Sequence, residues 1–316
     1  MTLFIRVAIR SVAVLLATSS FAQSQALVND DKSLQPASVV TIQKQVQEVD
    51  ILFTVTDRRN RFVRDLTSSD FAITDNGELP KRITYFQSRA DLPLRIAIVL
   101  DTSDSVEQSF PFEQKTAAMF LTQILRPASD LALIIGFNNQ VQVAQPATND
   151  TELLSRAIRS LHVAGRTAIY DAVSVASKEL GRINDVPLSR RVIVIVLVTD
   201  GEDNDSHLDI NQAIEIAQRN ASLVYVISTN ELATSRADSP DAAMKELSEA
   251  TGGNRFHAEA QSDLKNAFSN MQKELRSQYA IGYAPVDAAP DGSFHRLSVV
   301  GPKNLRIYCR KGYFAR

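Results

Sequence analysis

The sequence predicts an α/β protein: a doubly wound, mostly parallel sheet flanked by helices and inserted in a small β-sandwich formed by N- and C-terminal strands. Three observations carry this expectation. Between residues 92 and 277, apolar runs of strand length alternate with segments of helical period, the pattern of a parallel sheet covered on both faces. Residues 192–198 are consecutive aliphatics with no polar face, which suits a central strand buried on both sides. The stretches before and after this region read as short strands, too few on either side for a core of their own, so they are expected to pair with each other.

In chain order, residues 1–22 read as a secretory signal, with Arg6 and Arg10 as the basic start, an apolar centre at 12–16, and Ser20-Phe21-Ala22 as the cleavage site. Arg10 interrupts the apolar stretch, and the apolar run beyond it falls short of the roughly 20 residues that a spanning helix needs. The mature chain is then expected to start near Gln23 in the periplasm or outside the cell. No later run predicts a membrane span, and no cysteine stands just after the cleavage site to take a lipid. Residues 23–37 are polar and aperiodic and read as a flexible lead-in.

Residues 38–90 form an N-terminal β segment: Val49, Ile51, Phe53 and Val55 share one face, followed by Phe71 and Ile73, a turn at Asp75-Asn76-Gly77, and then Ile83, Tyr85 and Phe86. Residues 91–277 form the α/β domain. Its strands are expected at 96–100, 131–137, 192–198, 223–228 and 255–257, and its helices near 116–125, 151–161, 168–180, 208–220, 242–250 and 263–276. Residues 278–316 return to strands at 279–286, 294–300 and 305–309, with turns at Asp291-Gly292 and Gly301-Pro302, and are expected to pair with 38–90.

The 34 basic and 36 acidic residues leave a net charge of −2, with no positive excess to neutralise phosphates, so nucleic acid is not an expected partner. Cys309 is the only cysteine, so no intrachain disulfide can form, and it reads as a small hydrophobe in a late strand.

In an open parallel sheet, ligands bind beyond the carboxyl ends of the strands. Three such places carry oxygen donors. Asp101, Ser103 and Ser105 follow the first α/β strand and, in an extended loop, point to one side. Gly165-Arg166-Thr167 precedes a helix, which Thr167 either caps or leaves uncapped by offering its hydroxyl to an ion. Asp200 ends the most apolar strand. Carboxylates and hydroxyls without histidine or cysteine suit Mg²⁺, with Mn²⁺ or Ca²⁺ as alternatives. Taken alone, the Asp-x-Ser-x-Ser loop reads equally as a turn before a helix cap, and its position after the strand gives it weight. Asp171 is either an acceptor that orients these donors or a solvated helix carboxylate. The acidic run from 200 to 209 lacks the glycine and terminal glutamate of an EF-hand and reads, beyond Asp200, as a solvated loop.

These residues, DTSDS at 101–105, GRT at 165–167 and TDG at 199–201, resemble the metal-ion-dependent adhesion site of von Willebrand factor type A domains. The wider layout, with Asp70-Phe71, Asp75-Asn76-Gly77 and Lys311-Gly312-Tyr313, looks like bacterial exported proteins related to that family. The resemblance implies that Asp101, Ser103 and Ser105 ligate the metal, that Thr167 and Asp200 complete the shell, and that a protein partner supplies a carboxylate. Asp104 departs from the small residue frequent at its position.

No phosphate loop, dinucleotide loop, hydrolase elbow or zincin segment occurs, and the four histidines fall in separate elements, with only His207 near a site loop. The expectation is a non-enzymatic, exported, metal-dependent adhesion or interaction module. The alternatives are a Mg²⁺-dependent hydrolase and an assembly or chaperone-like subunit of an envelope complex.

Overall fold

Strand β1 (Val49–Thr56) opens the fold, followed by β2 (Ala72–Asp75) and β3 (Arg82–Ser88). The structure is a computed structural model that describes residues 48–59, 61–88, 92–187, 190–229, 240–258, 260–287 and 289–315. The expected signal segment 1–22 and lead-in 23–37 lie outside the described residues.

After β3 comes β4 (Leu94–Asp101), then helix α1 (Phe110–Ile124), β5 (Leu131–Phe137), β6 (Val141–Thr148), α2 (Thr151–Arg159), α3 (Ile169–Arg182) and β7 (Val192–Thr199). The unit continues with α4 (Ile210–Arg219), β8 (Ser222–Ser228), α5 (Pro240–Thr251), β9 (Arg255–His257) and α6 (Gln261–Leu275). The strands form one sheet in the order β6-β5-β4-β7-β8-β9, parallel throughout except for β6. All of β7 is buried, because Val192, Val194, Val196 and Val198 face α1, α2 and α6 while Ile193, Ile195 and Leu197 face α3, α4 and α5. Two apolar layers thus enclose an all-aliphatic strand, as the unbroken run predicts.

Two elements differ from expectation for physical reasons. Strand β6 is half exposed, carries Pro146 and pairs irregularly with β5, so it has neither clean alternation nor a buried run to betray it. Helix α1 begins earlier than its apolar period suggests, with Pro111 in its first turn, where the missing N–H costs nothing.

Strands β10 (Tyr279–Ala284), β11 (Phe294–Val300), β12 (Arg306–Cys309) and β13 (Gly312–Phe314) complete the chain. They join the first three strands in two antiparallel sheets, β12-β1-β10-β3 and β13-β11-β2. Ile51, Phe53 and Val55 of β1 pack with Ile73, Tyr279, Ile281, Tyr283 and Leu297 in a shared core, so both ends of the chain are needed to bury it. The β2 turn has left-handed Asn76 (φ 50°) and Gly77 (φ 86°), as its Asn-Gly pair predicts. Within this core the buried Asp75 accepts from Tyr283 Oη at 2.8 Å and Tyr313 Oη at 2.9 Å, and His295 Nδ1 lies 2.9 Å from its other oxygen. Cys309 is half-buried against the same core, and burial pushes its thiol up.

The α/β unit is tied where it begins and ends by Asp130, which is fully buried after α1. Its carboxylate accepts from Leu94 N–H at 2.9 Å, Arg126 N–H at 3.0 Å and Arg276 Nη2 at 2.6 Å. Arg276 also donates to Ile124 O at 3.0 Å. No described helix is long and apolar enough to cross a membrane.

Candidate metal centre

Asp101 ends β4, which has β5 on one side and β7 on the other; the chain runs outward from β4 in both directions. Such a switch point leaves a crevice at the carboxyl ends of the strands. Asp101 is fully buried there, accepting from Ser103 N–H at 2.9 Å and from the Thr199 hydroxyl at 2.6 Å. The Ser103 and Ser105 hydroxyls lie 3.0 Å apart. A short 3-10 turn, Asp104–Val106, follows Ser103 without a side-chain cap, and α1 starts from Ser109. Neither hydroxyl is therefore spent on capping.

The second loop is stitched to the first. Ala164 N–H donates to Thr102 O at 2.8 Å, Asp104 N–H donates to Gly165 O at 3.0 Å, and Gly165 N–H donates to Asp104 Oδ1 at 3.0 Å. The carboxylate of Asp104 is thus a clamp between loops. Gly165 has φ +81°, a left-handed conformation that favours glycine, so the loop needs glycine there.

The third loop closes the ring. Thr167 N–H donates to Asn204 Oδ1, and Thr167 O accepts from Asn204 N–H and Asp205 N–H, each at 3.0 Å. The first amides of α3 are taken by Asp203, from Ile169 N–H at 2.7 Å, and by Ser206, from Tyr170 N–H at 3.0 Å. Thr167 does not cap α3, whose N-cap is Ala168 without a side-chain bond. Asp200 follows Thr199, and its buried Oδ1 has no hydrogen-bond partner among the described residues.

Asp171 does not reach these donors. It accepts from His207 N–H at 3.0 Å and Leu208 N–H at 3.1 Å, stapling the loop that comes after Asp200. The His207 ring also bonds Asp171, which raises the imidazole pKa, and its side chain is 90% exposed. Three further acids of this loop are engaged, while Glu202 is exposed: Asp203 caps α3, Asp209 caps α4 through Gln212 N–H, and Asp205 lies 3.4 Å from Arg166.

Glu113 is a member of this neighbourhood that the sequence motifs do not include. In the first turn of α1, it is 1% exposed and accepts from the Ser109 hydroxyl at 2.8 Å. A signal exists in the helical period: Phe110, Glu113, Ala117, Phe120, Leu121 and Ile124 share the buried face of α1, where an acid among apolar residues is out of place. Burial pushes its carboxyl up to about 7, with the Asp101 and Asp200 charges adding to the rise against the Ser109 and Thr229 hydroxyls. Burial likewise pushes Asp101 up to about 6, opposed by its bonds from Ser103 and Thr199.

The donor set is two carboxylates and three hydroxyls. Among the described residues no basic side chain pairs with Asp101 or Asp200, and no three His, Cys, Asp or Glu side chains gather as a metal cluster. Buried carboxylates without a cation are unfavourable, and an all-oxygen set fits a hard divalent ion.

Comparison with known proteins gives a family. A model described as von Willebrand factor type A domain matches residues 96–271. A UPF0353 protein of Mycobacterium tuberculosis is 26% identical over 215 residues, covering 60% of this chain and 63% of that protein. Another, of Mycolicibacterium gilvum, is 27% identical over 216 residues, with the same coverages of 60% and 63%. The chain therefore spans less than two thirds of the length of these relatives. Among solved structures, the conserved hypothetical protein BatB of Bacteroides thetaiotaomicron is 18% identical with a TM-score of 0.46, covering 58% of this chain and all of that one. Proximal thread matrix protein 1 of the mussel byssus, described with a zinc-occupied MIDAS motif, is 13% identical with a TM-score of 0.49, covering 64% of this chain and 50% of that one.

Proposed function

Since the chain belongs to the von Willebrand factor type A domain family, we propose that it is an exported, non-enzymatic interaction module that grips an acidic group of a protein partner through one divalent cation. Asp101, Ser103 and Ser105 would hold the ion, with Thr167 and Asp200 completing its shell, and Mg²⁺ is the cation that this hard donor set favours. When bound, the ion supplies positive charge for a partner's carboxylate. The chain's own work is to keep the oxygens in place by hydrogen-bonding the three loops to one another.

The observation that carries this reading is the pair of carboxylates at the switch point, Asp101 fully buried and Asp200 with a buried oxygen that has no hydrogen bond, with no basic side chain paired to either among the described residues. A hydrolase would need a base poised over the ion. His207 is turned to Asp171 and solvent, which favours binding over turnover. The domain limits at 91 and 277 and the export of a chain starting near Gln23 belong to the same proposal; they rest on the change of strand pattern and on the basic-apolar-small start of the sequence.

Titration of Mn²⁺ into the purified mature protein tests it. Asp101→Ala and Ser103→Ala are expected to weaken the metal by at least tenfold and about tenfold respectively, the scale at which loss of metal-site groups acts. Capture of an envelope partner should vanish with chelator and with Asp101→Ala. Equal Mn²⁺ affinity in Asp101→Ala, or metal-dependent hydrolysis of phosphate or carboxylic esters that co-purifies with the chain, overturns the reading. The intact mass of the exported protein checks the start at Gln23.

A further inference from the structure

Among the described residues, three side-chain oxygens at the carboxyl end of the sheet are buried without a hydrogen-bond partner: Glu113 Oε2, Asp200 Oδ1 and Ser228 Oγ. They belong to one neighbourhood. Ser228 is the register partner of Thr199, the residue before Asp200, and the next residue, Thr229, donates its N–H to Thr199 O at 2.9 Å. Thr199 in turn donates its hydroxyl to Asp101. Glu113 enters this group from the helix side, fixed by Ser109, with the Thr229 hydroxyl beside it and the charges of Asp101 and Asp200 near enough to act on it.

A glutamate in the first turn of a helix is ordinarily solvated and gains from the amide dipoles at that end. Glu113 instead sits on the apolar face, and no salt bridge to it is formed among the described residues. A charge here makes sense if something cationic sits nearby for part of the protein's life.

We propose that Glu113 is a third carboxylate of the cation site, a positioning residue, held by Ser109, that favours the ion by its field instead of by ligation. This deepens the proposed function and rests on it. Direct ligation by all three acids does not fit, because no three acids converge as a cluster among the described residues. What Glu113 adds is negative potential in a poorly hydrated place, where Coulomb attraction to a divalent ion is strong. Like charges crowd the site when the ion is absent and are relieved when it binds. The side chain is thus unfavourable in the metal-free protein and favourable in the loaded one.

That opposition in sign is the test. Glu113→Gln keeps the shape and an oxygen for Ser109 to bond while removing the charge. It is expected to raise the melting temperature of the metal-free protein by a few degrees and to weaken Mn²⁺ about tenfold, both read on purified protein without any partner. Glu113→Asp keeps the charge on a shorter stem, so it should lower the metal-free melting temperature while holding Mn²⁺ within about threefold of wild type, a factor set by the same Coulomb attraction. If Glu113→Gln melts lower and binds Mn²⁺ as tightly as wild type, or if Glu113→Asp binds it as weakly as Glu113→Gln, the proposal is overturned. Tight Mn²⁺ binding by wild type with no change in Glu113→Gln sinks this inference alone, whereas no Mn²⁺ binding by wild type sinks it together with the site.

Discussion

Asp130→Ala is expected to destabilise the protein by about 3–5 kcal/mol, the cost of removing one partner from a buried ionic cluster and leaving the other without its counter-charge. The effect is large because one carboxylate serves three separate pieces of chain. Leu94 N–H at the start of β4, the Arg126 backbone and side chain after α1, and Arg276 at the end of α6 all donate to it. Without Asp130, Arg276 keeps its bonds to the Ile124 and Leu92 carbonyls but loses its anion. Urea denaturation measures the loss, and a midpoint unchanged from wild type refutes it.

The same residue sets a pH dependence. Burial alone would raise its carboxyl, but hydrogen bonds from Arg126, Leu94 N–H and Arg276 outweigh burial and hold it at about 2, against 3.8 for the unperturbed group. A carboxyl depressed in the folded state stabilises fully above its unfolded value, and that stability is lost as pH falls from about 4 towards about 2. The contribution is on the order of 2 kcal/mol, from the shift at about 1.4 kcal/mol per unit. Asp130→Asn should therefore show a shallower loss of stability over this window than wild type. Parallel curves for the two proteins would contradict it.

Asp75→Ala is expected to cost about 3–5 kcal/mol in the sandwich, since two buried phenol hydroxyls and an imidazole lose the carboxylate they share and keep only the 3.2 Å contact between Tyr313 Oη and His295 Nδ1, and a buried group left unsatisfied costs about 1–3 kcal/mol. The four residues come from β2, β10, β11 and β13, so the network joins the two sheets and both ends of the chain. Burial raises the Tyr283 and Tyr313 hydroxyls, and the Asp75 carboxylate raises them further, which keeps both as donors at any working pH. Asp75→Asn retains one acceptor oxygen and should cost about half as much. Amide exchange should quicken first in β2, β11 and β13. Denaturant curves for Asp75→Ala and Asp75→Asn that coincide with wild type would show that the network contributes nothing.

Sequence alone determined the parts of this protein whose physics is local. Seven aliphatics at 192–198 have no alternative to a strand buried on both faces, and the change from period two to alternating strand and helix marks where the α/β unit begins. Oxygen donors after three of its strands and loops were likewise legible, because a parallel sheet presents its carboxyl ends together. Tertiary structure decided what depends on residues far apart in the chain. Whether Thr167 caps a helix was settled by Asp203 and Ser206, which arrive from another loop and take the amides first. Asp104 became a clamp because Gly165 N–H is brought to it. Glu113 reads as an ordinary first-turn acid until α1 is packed, and only then is it buried, where the Asp101 and Asp200 charges add to the rise that burial gives its carboxyl. Strand β6 and the Asp75 network share the same reason: an edge strand and a buried polar cluster take their meaning from partners that local spacing does not reveal.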